Sequence, residues 1–298
     1  EPNLNGAPNI IGGAPGNFVE VGVMGATISG GGTAGGMQSN SIHSDFATIG
    51  GGSGNAIQTL DIASSQFAAI SGGQDNTING ATRSVISGGA NNRIYSAQHS
   101  SYRPTMNSDS TISGGWSNSV EAPFSTIGGG SHNLIRTNFP SRDTLVPITN
   151  GTIAGGISNT IWGNHSTIGG GRFNTIRVTG GFPYEFASNG DCTIGGGSFN
   201  LLKDSSLEPL TGATIAGGNA NRIAELANYA FIGGGSSNLI GYYAWNSVIS
   251  GGGNNRIGSG GGTGYGTIGG GAGNYVWGIG STVPGGVSNT VQGSYAFA

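Results

Sequence analysis

Thirteen copies of one short pattern, small-Thr-Ile-x-Gly-Gly-x-x-Asn-x-Ile, constrain this chain more than any other feature. The copies are anchored on Ile49, Ile70, Ile86, Ile112, Ile127, Ile153, Ile168, Ile194, Ile215, Ile232, Ile249, Ile268 and Val283. Six positions after each anchor stands an asparagine: Asn55, Asn76, Asn92, Asn118, Asn133, Asn159, Asn174, Asn200, Asn221, Asn238, Asn255, Asn274 and Asn289. Glycines fill the second and third positions after every anchor, and Ile, Leu or Val fills the eighth. A unit this short cannot bury an apolar face alone, so it gains a core only by stacking on its neighbours.

Residues two apart on a strand share a face. The column two places before each anchor is always small (Ala47, Ser84, Gly151, Cys192 and their equivalents), so it lies inward with the anchor while the intervening Thr points out. The glycine pair supplies a corner where a Cβ is not tolerated, and the second aliphatic marks a second inward strand. The expected fold is all-β: a single-chain β-solenoid of short two-strand coils with an axial asparagine ladder, in which stacked amides bond to one another or cap the turns. Residues 1–48 read as irregular N-terminal coils, with Ile11-Gly12-Gly13 and Thr27-Ile28 echoing the motif, and residues 49–298 as the regular solenoid of thirteen coils.

Composition removes several other classes. The 63 glycines lack the every-third-residue period of collagen, and a net charge of −3 with evenly spread Ile argues against extended disorder. Ten Lys+Arg against thirteen Asp+Glu, with no basic run, give no footprint for nucleic acid. No stretch has the apolar length of a membrane span. The one cysteine, Cys192, excludes a disulfide framework and multi-cysteine metal sites.

Anchors are 15 residues apart at the closest and 26 at the widest, and the extra length falls between the second aliphatic and the next small-Thr-Ile. Three insertions, 95–109, 136–150 and 177–191, therefore leave one corner and should form a ridge. Tyr95, Tyr102, Arg103, Phe139, Arg142, Phe182, Tyr184 and Phe186 place aromatic faces and guanidinium forks there, groups common in sugar and protein recognition. Trp116, Trp162, Trp245 and Trp277 occupy variable columns and are candidate interface anchors.

The residues Gly25-Ala26-Thr27-Ile28-Ser29-Gly30-Gly31-Gly32, Asp45-Phe46-Ala47-Thr48 and Thr282-Val283-Pro284-Gly285-Gly286-Val287-Ser288-Asn289-Thr290 carry a resemblance. They resemble the Gly-rich repeats of large bacterial surface proteins. More loosely, they resemble the β-roll heads of trimeric autotransporter adhesins and phage tail fibres, although those use S-V-A-I-G cores. The looser resemblance implies left-handed winding and a parallel trimer. Two buried aliphatics per coil are also little against the entropy of ordering fifteen residues, which favours burial against sister chains. A stable folded monomer in light scattering would remove that expectation.

The expected function is a structural and adhesive segment of an extracellular or cell-surface fibre, or of a virion fibre, that presents loops to a surface glycan or protein. One alternative is a self-assembling filament subunit without a ligand. Another is an ice-binding solenoid, since Thr precedes the anchor in nine of thirteen coils, although Phe231 and Val248 interrupt that column. No enzyme is expected, and no cofactor or metal. The carboxylates are scattered, only Asp109 and Asp191 share a column, and His43, His99, His132 and His165 lack ligand spacing.

Overall fold

A computed structural model describes residues 6–33, 38–60, 64–96, 107–136, 150–178, 190–204, 210–258 and 263–298. Among them every regular element is a strand of two or three residues. The chain is a β-solenoid built from two parallel sheets, and it forms two compact units, Glu1–Asn150 and Gly151–Ala298.

Each coil contributes its Thr-Ile strand to the first sheet and the strand around its second aliphatic to the second sheet. In the first unit, Thr48–Ile49 pairs in parallel with Ala69–Ile70 and then Val85–Ile86, so anchor lies on anchor. Ala56–Gln58 pairs likewise with Thr77–Asn79, which in turn pairs with Arg93–Tyr95. The second unit repeats the arrangement from Thr152–Ile153 to Thr282–Val283 and from Thr160–Trp162 to Thr290–Val291. Between the two strands a single residue, four places after the anchor, makes a further parallel bridge to its counterpart, as Ser53 does to Gln74 and Ser198 to Asn219.

The register begins before the first complete motif. Ile11 pairs with Ile28 and Ile28 with Ile49. Asn17 and Asn40 occupy the asparagine column, with Oδ1 of Asn17 accepting from the Asn40 amide at 2.9 Å and Oδ1 of Asn40 from the Asn55 amide at 3.1 Å. Asn40 stands twelve rather than six residues after its anchor, because extra chain enters its Gly-Asn corner.

The interior is two aliphatic columns and one small column. Ile49, Ile70 and Ile86, with Ile57, Ile78 and Ile94, are fully buried, as are Ala47, Ser84 and Cys192. Two backbone features close each coil. The second glycine of the pair has a φ of 80 to 95 from Gly52 to Gly286, and a Cβ on Gly73 would stand 2.1 Å from the Gly89 carbonyl oxygen. That column is restricted to glycine by both conformation and contact.

The third residue before and the fifth after every anchor are also left-handed. Phe67, Arg83, Asp109, Phe124 and Tyr229 represent the first column, and Asp75, His132, Phe173, Phe199 and Ala220 the second. This conformation is unfavourable for bulky residues. It is held by inter-coil hydrogen bonds at these amides: Asp75 donates to Ser53 and Phe199 to Arg172, each in the preceding coil.

Candidate functional site

The asparagine column explains how the coils hold together. The Asn92 amide group donates from Nδ2 to the Gly88 carbonyl in its own coil at 3.0 Å and to the Gly115 carbonyl in the next at 3.0 Å. Its Oδ1 accepts the backbone N–H of Asn118 at 3.0 Å. The first unit carries this pattern through Asn55, Asn76, Asn92 and Asn118, and the second through Asn174, Asn200, Asn221, Asn238 and Asn255, all essentially buried. Two donors and one acceptor are thus satisfied without water, which is the condition for keeping polar side chains buried. An aspartate could not make the two donations.

Of the eight ridge residues, Tyr95 lies among the described residues; Tyr102, Arg103, Phe139, Arg142, Phe182, Tyr184 and Phe186 lie outside them. The feet of the insertions are fixed. Before the first, Ser96 donates its amide to Asn79; after it, Asn107–Ser108 pairs with Ala81–Thr82. After the second, Asn150 donates to Pro123 at 3.2 Å. Around the third, in the other unit, Val178 donates to Trp162 and Gly190 bridges to Asn164.

Tyr95 stands on the outer face of the second sheet, where its hydroxyl donates to Oε1 of Glu121. Glu121 is buried, and Oε2 lies 3.3 Å from Nε of Arg136. Burial, followed by the hydrogen bond to Glu121, pushes the Tyr95 pKa up to about 12. The phenol is therefore a donor at neutral pH rather than a base. Beside it opens a groove of about 810 Å³ lined by Gln58, Thr77, Asn79, Arg93, Tyr95 and Ser119, among others. Oδ1 of Asn79 is buried there without a hydrogen-bond partner. Glu121 carried no signal in the sequence, since nothing repeats at its position; it is recognisable only once Tyr95 and Arg136 stand beside it.

The remaining polar candidates are dispersed. Asp109 is held below the ordinary carboxylate range by its hydrogen bond to Arg83, with Nε to Oδ1 at 2.7 Å. Asp191 lies 3.8 Å from His165, in the other unit. His43 meets Glu20 at 3.0 Å, and His132 lies edge-on to the exposed Trp116 with ring centroids 4.4 Å apart. His99 lies outside the described residues. Desolvation raises the Cys192 thiol to about 12, leaving it protonated and shielded. Among the described residues no group of three His, Cys, Asp or Glu is placed to hold a metal ion. No protein-family model and no curated protein sequence matches the chain.

Proposed function

We propose that the chain is a structural and adhesive segment of an extracellular fibre, presenting its insertions to a surface glycan or protein. The observation that carries this reading is the contrast within each coil: the Gly-Asn corner is held in near-identical hydrogen bonds from coil to coil, while the opposite corner admits insertions of different length on fixed feet. A stiff body with variable connections at one corner suits display, because loops positioned by a rigid scaffold carry recognition at little structural cost. The polar groove beside Tyr95 adds hydroxyls, amides and a guanidinium at the foot of the first insertion. Left-handed winding and association as a parallel trimer belong to the same proposal.

The test is a chain in which 97–106, 137–149 and 179–189 are each replaced by the short connection of a 15-residue coil. On a glycan array and on cell surfaces bound by the intact chain, the shortened chain is expected to lose attachment while retaining its β-sheet circular dichroism. Undiminished attachment would contradict the proposal.

A further inference from the structure

The charges of the second unit are not evenly placed. Arg177, Lys203, Arg222 and Arg256 all project from the second sheet, on Thr175–Arg177, Leu201–Lys203, Arg222–Ile223 and Arg256–Ile257. These strands, with Leu239–Ile240 between the last two, are consecutive in that sheet and span about 19 Å. The buried residue of each strand is aliphatic, so the cations lie on the outer face. None of the four forms an ion pair with a described residue. The described carboxylates of this unit, Asp191, Asp204 and Glu225, sit on the connections, and Asp204 is buried.

Two details go beyond an ordinary solvated face. Arg177 and Lys203 are directly opposite in the parallel register, a like-charge pair that costs stability unless an anion lies between or above it. Arg256 has its Nε buried without a hydrogen-bond partner. Two of the guanidiniums are also pre-positioned: Arg177 lies over Trp162 at 4.8 Å and Arg256 over Tyr275 at 5.5 Å. A guanidinium laid on a ring keeps its terminal Nη–H groups available for a carboxylate or sulfate fork.

We infer that this face binds a linear anionic polysaccharide, whose acidic groups recur about once per sugar and can meet cations on successive strands. Leu201 and Leu239, on strands within the stripe, offer apolar surface for the sugar rings between the charges, and Trp277 offers more just beyond Arg256. A single-stranded nucleic acid fits less well, because the faces of Trp162 and Tyr275 on which bases would stack already carry guanidiniums. The inference specifies an acidic glycan class for the adhesive reading, on which it rests, but places the contact on the sheet rather than the insertions.

The test uses the full chain, a triple variant (Arg177→Gln, Lys203→Gln, Arg222→Gln), a control variant (Arg172→Gln) on another column, and the loop-shortened chain. Heparin, polygalacturonate and single-stranded DNA serve as sulfate, carboxylate and phosphate probes. Salt-sensitive binding to heparin, polygalacturonate or both is expected, weakened about tenfold or more in the triple variant and unchanged in the control and the loop-shortened chain. Equal binding by the triple variant, tighter binding to DNA than to both polysaccharides, or no binding to either polysaccharide overturns it. Loss of cell-surface attachment on loop removal with no polysaccharide binding would sink this inference alone; the reverse pattern would sink only the display by insertions.

Discussion

At the scale of single residues, the fold rests on positions where one side chain, or none, satisfies the backbone. Gly72 and Gly73 make the point as neighbours. A Cβ on Gly72 would meet nothing closer than 4.0 Å, whereas on Gly73 it would strike the Gly89 carbonyl at 2.1 Å with φ at +94. Gly73→Ala is expected to cost about 2–4 kcal/mol, and Gly72→Ala to stay within about 0.5 kcal/mol. Urea midpoints of the two variants check this, and equal midpoints would show that the close approach of the coils is absent. The second glycine column and the asparagine column were legible in the sequence because no other residue type meets their demands. The two left-handed columns were not: Phe67, Arg83, Asp75 and Ala220 share no chemistry that marks the conformation, which inter-coil amide bonds hold in place.

At the scale of the coil, the Tyr95–Glu121–Arg136 cluster joins adjacent strands of the second sheet at the feet of two insertions. Because the Tyr95 pKa is raised from 10.0 to about 12 in the folded chain, its contribution to stability is complete below about pH 10 and is lost as pH rises through about 12. Following phenolate absorbance, Tyr95 is expected to titrate near the upper value, and its contribution should vanish in Tyr95→Phe together with part of the alkaline destabilisation. A titration identical in the variant would contradict the placement of Tyr95. Its partner Glu121 was beyond sequence reading, since strands of two or three residues leave no periodicity from which to locate a chance triad. Asn40 was missed for a related reason: the extra residues within its corner break the six-residue spacing that marks the column elsewhere.

At the scale of the whole molecule, regularity and variation are divided between corners. The Gly-Asn corner is nearly invariant, so the repeat and the solenoid could be deduced from spacing alone. The opposite corner varies in length and composition, so it offered candidate residues but no geometry. The cationic face of the second unit was hidden for another reason. Its members are scattered over the sequence from Arg177 to Arg256, and only the parallel register places Arg177 beside Lys203.

The asparagine ladder is the feature on which the rest depends, and side-chain amide hydrogen exchange followed by nuclear magnetic resonance tests it most directly. Asn255 is buried, with Nδ2 donating to Gly251 at 3.0 Å and to Gly271 at 2.9 Å, whereas its neighbour Asn254 is exposed. The ladder predicts slow exchange for the Nδ2 protons of Asn255 and the other column members, and fast exchange for those of Asn254. Equally fast exchange at both would contradict it.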